Sequence, residues 1–364
     1  MFILVSCESQ GIEIAKPSPL TPPKEDFKNS KNYYSFFNDT MFRQLKITEN
    51  QFGGFFDWLD TENVLVVQTL NEYSVVQSFN IFSGEISELY RSIYPIVQLE
   101  INNVGDIAIH EATSTFDATI VIIGKDGNVK DNWNFRSNEL FFTWNEFNPD
   151  WLIVTTFLED WSYENFLINT KEKVMEEVNG PNPFLYWLSA DELGYLNWEL
   201  DEPTLSAPLY KFSFEEKEHK LLLENTVSFH KQDGYLLTMQ IDIGNFSELS
   251  VSIIDYLSME TKAQNILPTL TMYSTIVPPH VDYTGEQNAF YLIIPYESGS
   301  LDSYDGGFKL VSISENGEME TILNQVENKP FKLSPDGNFA LLGYQLEQII
   351  DFETETVVEL VHVH

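Results

Sequence analysis

A bulky apolar residue, followed by a short polar turn and an apolar strand, recurs seven times along this chain of 364 residues. The seven anchors of the repeat are Trp58, Ile101, Trp144, Trp187, Phe229, Val281 and Leu333. Successive anchors are 43, 43, 43, 42, 52 and 52 residues apart. A repeat of about 40–50 residues is typical of β-propeller blades, so this period constrains the fold more than any other feature.

The repeat units also contain reversals that are typical of β-hairpins. Asp126-Gly127 and Asn316-Gly317 are strong hairpin signals because Gly accepts a positive φ. A single four-stranded sheet cannot bury both of its faces, whereas sheets stacked around an axis cover one another. We therefore predict an all-β protein, a single β-propeller of four-stranded blades. The repeat count gives seven blades, and six if the degenerate Val281 unit does not form a full blade.

Aromatic residues make up 14% of the chain, which suits strands that are packed on both faces. Trp58, Trp144 and Trp187 keep the period of the repeat, and we interpret them as core residues. Trp161 and Trp198 belong to a denser aromatic group. If they face outward on neighbouring blades they could stack on a sugar or a Pro-rich peptide, although packing is the favoured interpretation.

The irregular parts of the repeat lead to three further expectations. The two 52-residue intervals predict insertions of about nine residues near 267–279 and near 296–307. Residues 41–47 could add an outer strand to the last blade and so close the ring. The pairs Gly53-Gly54 and Gly306-Gly307 are interpreted as relief of crowding where strands begin, rather than as ligand contacts.

The amino terminus carries the second informative pattern. Leu4-Val5-Ser6-Cys7 resembles a bacterial lipobox, which is cleaved just before a cysteine that carries a thioether-linked lipid. Cys7 is the single cysteine of the chain, so it cannot form an intramolecular disulfide. The following segment contains four prolines with several Ser, Thr and Lys residues, which is typical of a tether. We divide the chain into a remnant of a lipoprotein signal at 1–7, a disordered Pro-rich tether at 8–32 and a β-propeller at 33–364.

The signal pattern is incomplete, since no Lys or Arg precedes Cys7 and only residues 2–5 form an apolar stretch. We favour a start of the reading frame upstream of Met1. In the alternative, Met1 is the true start, Cys7 lies in a disordered tail and the protein is cytoplasmic.

The lipobox-like terminus, the Pro-rich tether and the single propeller together resemble the YqgU-like propeller lipoproteins of Bacillus and its relatives. The resemblance implies a signal peptide, a palmitate-type lipid anchor attached to Cys7, and a location on the extracytoplasmic face of the cell membrane. It implies no catalytic residues.

The charge of the chain is strongly acidic, with 56 Asp and Glu against 20 Lys and Arg and a formal net charge of −36. Such a surface repels phosphate backbones and anionic membranes, so we expect no nucleic-acid partner and membrane attachment only through the lipid. The acids are spread along the whole chain, which favours a solvated surface. A structural calcium site in loops such as 301–307, with Asp302 and Asp305, or at Asp255, is the rival interpretation, although the EF-hand spacing is absent.

No linear motif for catalysis is found. The six histidines are His110, His219, His230, His280, His362 and His364, and none has the spacing of a zinc protease. His362 and His364 would share one face of a strand as half of a metal site, but a frayed C-terminus is the favoured interpretation. No nucleophile elbow and no phosphate loop are present. We therefore predict no catalytic, metal-binding or cofactor-binding residues.

Two function classes follow from these patterns. The favoured one is a monomeric, membrane-tethered extracytoplasmic propeller that acts as a non-enzymatic binding or assembly module for a protein or cell-wall partner. The alternative is a metal-dependent hydrolase or lyase with its site in the central channel, assembled from single residues of different blades.

Overall fold

The computed structural model describes residues 41–363, except 49, 179, 181, 199–203, 243–244 and 274. The predicted lipid attachment at Cys7, the predicted tether 8–32 and His364 lie outside the described residues. The regular secondary structure of the described part consists of β-strands and one 3-10 turn at Leu301–Ser303, with no α-helix. No helix long and apolar enough to cross a membrane is found there.

The strands form antiparallel meanders that follow one another along the chain. The strands of the first half are β1 (Leu45–Ile47), β2 (Phe52–Trp58), β3 (Asn63–Leu70), β4 (Tyr73–Asn80), β5 (Ile86–Ser92), β6 (Ile96–Ile101), β7 (Ile107–Ala112), β8 (Asp117–Ile123), β9 (Val129–Arg136), β10 (Glu139–Trp144), β11 (Trp151–Phe157), β12 (Tyr163–Asn169), β13 (Val174–Val178), β14 (Tyr186–Trp187), β15 (Glu192–Leu196) and β16 (Ala207–Ser213). The strands of the second half are β17 (Glu218–Gln232), β18 (Tyr235–Asp242), β19 (Asn245–Asp255), β20 (Glu260–Pro268), β21 (Leu270–Met272), β22 (Thr275–Val277), β23 (His280–Thr284), β24 (Ala289–Pro295), β25 (Gly299–Ser300), β26 (Phe308–Ser314), β27 (Met319–Val326), β28 (Phe331–Leu333), β29 (Phe339–Leu342), β30 (Gln348–Asp351), β31 (Thr356–Glu359) and β32 (Val361–Val363).

The strand pairing gives seven four-stranded meanders in the described residues. Five are separate sheets, namely β2–β5, β6–β9, β10–β13, β23-β24-β26-β27 and β28–β31. The remaining two, β14–β17 and β17–β20, form one seven-stranded sheet because the 15-residue strand β17 is the last strand of one meander and the first of the next. β17 bends at Asn225, whose φ is +52°. Every anchor lies in the first strand of a meander, as the repeat predicts.

The burial of each strand follows its position in the meander. The second strands are covered on both faces: β3 has five consecutive buried residues and all seven residues of β24 are buried. The last strands β5 and β13 are mostly exposed. Runs of β-branched residues such as Val64-Leu65-Val66-Val67 suit this environment, because both faces of the strand pack against neighbouring sheets.

Hydrophobic clusters lie between all neighbouring meanders and close them into a ring. Alternating residues of one strand serve two clusters: Val64 and Val66 pack toward the last meander with Leu341, whereas Leu65 packs toward the second meander with Ile107. The other interfaces of the ring are filled in the same way. The single-propeller prediction is confirmed by this arrangement.

The ring is closed differently from our expectation for residues 41–47. β1 pairs in parallel with β32, in a two-stranded sheet outside the last meander, so the prediction of an outer strand added to that blade is wrong. Leu45 and Ile47 are buried among residues of the first and last meanders. The expectation of a frayed C-terminus is also wrong for Val361–Val363, because this segment is held by β1.

The two predicted insertions are present and lie together. β21 and β22 form a hairpin within the first insertion, and β25 lies in the second. β21 pairs in parallel with β25, so the two insertions share one three-stranded sheet beside the fifth and sixth meanders.

Candidate functional site

The first strands of the meanders lie side by side around the ring axis. Three buried anchors fix this arrangement, because each indole Nε1 donates a hydrogen bond to a carbonyl oxygen of the preceding first strand. Trp58 donates to Lys332 over 3.0 Å, Trp144 to Glu100 over 3.3 Å and Trp187 to Thr143 over 3.2 Å. These tryptophans are 4–5% exposed, so their interpretation as core is correct.

The residues that precede the anchors line the central channel. They are Asp57, Glu100, Thr143, Tyr186, Ser228 and Lys332. In the sixth meander the channel residue is Asp282, which follows the predicted anchor Val281. Its Oδ2 accepts a hydrogen bond from the backbone N–H of Leu333 over 2.7 Å, just as Glu100 Oε2 accepts one from Trp144 N–H over 3.1 Å. The structural equivalent of an anchor in that meander is therefore Tyr283.

Lys332 is the central cation of this channel. Its Nζ lies 3.6 Å from Asp57 Oδ2. The carboxylates of Asp57, Asp282, Glu100 and Glu146 all raise the pKa of Lys332 far above its ordinary value, against the opposing effect of burial. Lys332 thus carries a positive charge at every physiological pH and is shared among four acids.

A cavity of about 420 Å³ opens beside the channel, along the third to sixth meanders. It has the size of a pocket for a small ligand or a single side chain. Its polar lining includes Glu146, Asn182, Lys231, Gln232 and Asp282. Phe184 and Trp198 lie at the end of the cavity where the inner strands begin, whereas Glu146 and Gln232 lie where those strands end.

Aromatic rings of three meanders form a continuous row, of which Phe184, Tyr186 and Phe229 line the cavity. Phe141 contacts both Phe184 and Tyr186, with ring centroids 6.1 and 5.8 Å apart, and Tyr186 contacts Phe229 at 5.7 Å. Despite these contacts, Phe184 is 51% and Tyr186 44% exposed, and Trp198, which also lines the cavity, is 42% exposed. Large aromatic surfaces that remain exposed within a cavity are available to a ligand.

Several ionisable groups of the site have shifted pKa values. Protein on most sides of Glu100 and Glu146 removes bulk water from their carboxylates and raises their pKa to about 8 and about 7. Glu146 is nevertheless an exposed residue that lines the cavity. Burial also raises the pKa of Asp282 and lowers that of Lys231 to about 8. Small changes in the surroundings of these groups therefore alter how many protons they hold near neutral pH.

The second cation of the cavity already has partners. Lys231 Nζ lies 4.6 Å from the ring centroid of Phe147 and 5.3 Å from that of Tyr256, and it donates a hydrogen bond to the carbonyl oxygen of Asp233. Its neighbour His230 also lines the cavity, and burial lowers the pKa of this imidazole to about 4, so it is neutral.

The predicted aromatic candidates are only partly brought together. Trp161 is 74% exposed and lies in the loop between the second and third strands of its meander. Trp198 lies in the equivalent loop of the next meander. Both are exposed, but only Trp198 lines the cavity.

The candidate glycines and the candidate calcium ligand Asp255 are explained by the contacts that they make within the fold. A Cβ on Gly53 would lie 3.0 Å from the carbonyl oxygen of Val67, and one on Gly306 would lie 2.7 Å from the Tyr304 hydroxyl, which fits the crowding interpretation for these two glycines. Gly54 and Gly307 meet no such close contact and instead have positive φ values of +124° and +80°. Asp255 Oδ1 accepts hydrogen bonds from the backbone N–H and the hydroxyl of Ser258, both over 2.9 Å, and so holds a turn. Among the described residues no group of three or more His, Cys, Asp or Glu side chains could hold a metal ion.

The histidines are dispersed over the fold. His110 is buried in β7, and the ring of His219 contacts the hydroxyl of Tyr195 through Nδ1 at 3.1 Å. His280 begins β23, and His362 lies in β32.

Reasoning from the sequence missed the charged channel, although a signal for it was present. Reading one residue before each anchor gives Asp57, Glu100 and Lys332, three charged residues inside otherwise apolar strands. Charged side chains in such strands need partners, which here lie across the channel. The aromatic row had no comparable signal, since its members come from three meanders.

Comparison with known proteins gives one family and several structural relatives. A family model described as a YqgU-like 6-bladed beta propeller domain matches residues 80–343. The lipoprotein YqgU of Bacillus subtilis (strain 168) is 25% identical over 307 residues, which cover 84% of this chain and 83% of that protein. The family description counts six blades, whereas this chain has seven meanders in its described residues, two of which share β17.

Two solved structures have the same architecture. The crystal structure of a Listeria monocytogenes EGD-e protein superposes with a TM-score of 0.81 at 20% identity, covering 89% of this chain and 98% of the other. The β-propeller domain of the Trilobed protease from Pyrococcus furiosus has a TM-score of 0.55 at 14% identity, covering 86% and 99% of the two chains. At these identities the likeness concerns the fold alone.

Proposed function

The chain belongs to the YqgU-like six-bladed β-propeller family, and on this premise we propose that it is a lipid-anchored extracytoplasmic module that binds a protein or cell-wall partner at the mouth of its channel. The anchor is supported by the Bacillus subtilis relative, which is named a lipoprotein, and by the sequence Leu4-Val5-Ser6-Cys7. The palmitate-type lipid on Cys7 carries two acyl chains and holds the propeller to the membrane. Two acyl chains bind a membrane stably, whereas one binds it only marginally.

The cavity is the observation that carries the binding role. It combines an exposed aromatic row with amide and carboxylate groups that converge on the same space. An aromatic surface supplies contact area, and a few placed polar groups fix the orientation of a ligand. Such a site binds without needing a nucleophile or a metal-activated water.

The anchor is tested on the protein expressed in its source cells with the upstream DNA. Mass spectrometry of the N-terminal peptide should show a diacylglyceryl group on Cys7, and Cys7→Ala should move the protein out of the membrane fraction. Ser9→Ala is the matched control and should leave the fractionation unchanged. An unmodified peptide that begins at Met1, in the soluble fraction, would contradict the anchor.

The binding role is tested with a photo-crosslinking amino acid placed in the full chain at position 198. We expect a discrete adduct that disappears when Phe184→Ala is introduced. The control is the same amino acid at position 161, which is exposed in the equivalent loop but lies outside the cavity. Identical adducts from both positions, or adducts insensitive to Phe184→Ala, would show that the cavity is not the binding site.

A further inference from the structure

The charges of the channel and cavity do not balance. Asp57, Glu100, Glu146 and Asp282 share the cation Lys332, and Lys231 also acts on Glu146. Burial raises the pKa of Glu100 to about 8, so this acid is mostly protonated at neutral pH and adds little to the negative charge. Hydrogen-bond donors compensate three of these acids only in part. Asp57 accepts the backbone N–H of Trp58, Asp282 accepts those of Leu333 and Tyr283, and Glu100 accepts one backbone N–H and the amide of Gln98.

Lys231 does not restore the balance. Its ammonium group faces two aromatic rings and the carbonyl oxygen of Asp233, and the carboxylate of Asp233 adds another negative charge beside it. The cavity therefore has an excess of negative charge that its own residues leave uncompensated.

The aromatic row points to the same kind of ligand. The face of an aromatic ring is negative and attracts an ammonium or guanidinium group within about 6 Å of its centroid. Phe184, Tyr186 and Trp198 present surface to the same cavity that the acids Asp282 and Glu146 line. An apolar stem can lie along these rings while its charged end reaches the carboxylates.

We propose that this cavity binds a primary ammonium group at the end of an apolar stem, as in a lysine side chain presented by a peptide. This inference rests on the proposed binding role and names the chemistry of the ligand. The volume of about 420 Å³ accommodates one such side chain with its immediate surroundings. An anionic ligand is disfavoured by the acidic side chains around the site and by the formal net charge of −36.

Binding of an ammonium group should be linked to proton release. The groups that act on the Glu146 carboxyl are Lys332, Asp282, Lys231 and Asp233. With its pKa near 7, Glu146 is partly protonated at neutral pH, and an added cation favours the ionised form. An uncharged ligand has no such effect.

The test is calorimetric titration of the full-length protein at pH 6.5 and constant ionic strength. The probes are Nα-acetyl-lysine methylamide and the same compound acetylated at Nε, which differ in the charge of the ammonium group. We expect the charged probe to bind at least about tenfold more tightly, and its apparent enthalpy to depend on the ionisation enthalpy of the buffer.

Four variants separate the contributions of the site. Asp282→Asn should weaken the charged probe about tenfold, and Tyr186→Leu should weaken it several-fold through the lost ring face. Glu146→Gln, at an exposed position that does not endanger folding, should remove the buffer dependence. Glu176→Gln on the exposed outer strand β13 is the control and should change nothing.

The outcomes separate this inference from the binding role. Equal affinity for the two probes would overturn the ammonium proposal while the cavity remained a binding site. Absence of binding by the charged probe would also overturn it, and the crosslinking experiment would still report independently on the binding role.

Discussion

Each buried indole of the inner strands connects two meanders by one hydrogen bond. The donor is an N–H that has no other partner in the core, and the acceptor is a main-chain carbonyl of the neighbouring first strand. Such bonds stabilise a folded protein modestly, but removing one partner leaves the other buried and unpaired, which costs about 1–3 kcal/mol.

Trp144→Phe should therefore lower the free energy of unfolding by about 1–3 kcal/mol, since Phe keeps most of the apolar contacts and loses the donor to the Glu100 carbonyl. Urea unfolding followed by circular dichroism measures the change. Trp161→Phe is the control, because Trp161 is 74% exposed and should shift the midpoint little. Equal effects of both substitutions would contradict the role of the indole hydrogen bond.

Glu100 makes the stability of the propeller dependent on pH. Its pKa is about 8 in the folded protein against an ordinary value of 4.5, so between these values the folded state holds a proton that the unfolded state has lost. Stability from this group is fully present below pH 4.5 and is lost as the pH rises through 8, with a slope of at most about 1.4 kcal/mol per pH unit. The groups that face the carboxyl are Trp144 N–H, Gln98, Lys332 and Asp57.

Glu100→Gln should therefore flatten the decline of stability between pH 5 and pH 8. The amide oxygen of Gln can still accept the hydrogen bond from Trp144 N–H, so the variant should fold. Urea midpoints measured across this range give the slope, with Glu176→Gln on the exposed outer strand as the reference. The same slope in the wild type and in the Glu100 variant would contradict a protonated Glu100.

At the scale of single elements, β1 has a function that its length of three residues does not suggest. It pairs with β32 and buries Leu45 and Ile47 between the first and last meanders, so the two ends of the described chain meet at the closure of the ring. A short strand at this position stabilises the fold through its buried side chains more than through its few backbone hydrogen bonds.

Leu45→Ala should lower the free energy of unfolding by about 2–5 kcal/mol, because Leu45 is 1% exposed and its loss leaves a cavity in the closing cluster. Differential scanning calorimetry should show a clear fall of the melting temperature. Lys46→Ala in the same strand is the control, since Lys46 points to solvent. If Leu45→Ala unfolds as the wild type does, β1 does not contribute to closure.

The elements also show which parts of the fold a sequence can predict. The seven anchors correctly located the seven first strands, because a bulky apolar residue before a polar turn is a local sequence pattern of a buried strand end. The same reasoning located both insertions by length. It could not foresee that β21 and β25 would pair, that β17 would serve two meanders, or that β1 would join β32, because these pairings depend on residues distant in sequence.

The candidate site was less predictable for a related reason. A channel in a ring takes single residues from every repeat, so no linear motif records it. Asp57, Glu100 and Lys332 could have been noticed as charges within apolar strands, but their common partner could be recognised only after the ring was closed. Val281 illustrates the limit of the repeat. In the other meanders the channel residue precedes the anchor, whereas in the sixth meander the channel residue, Asp282, follows Val281.

For the whole molecule, the charge is the property that acts at long range. The 56 acidic residues greatly outnumber the 20 basic ones, and repulsion among the excess acids opposes the compact state. Exposed ion pairs such as Arg91–Glu88 and Lys220–Glu216 stabilise the fold little, because solvent screens them, so repulsion among the excess acids dominates.

Added salt should therefore stabilise this protein. Raising the ionic strength from 0.01 to 0.15 M shortens the screening length from about 30 to about 8 Å, which weakens repulsion between acids more than it weakens contact ion pairs. We expect the melting temperature at pH 7.5 to rise with NaCl over this range. At a pH near the isoelectric point of 4.2 the rise should vanish, because the net charge is then close to zero. A melting temperature that falls with salt at pH 7.5 would show instead that ion pairs, including those of the channel around Lys332, outweigh the repulsion of the surface.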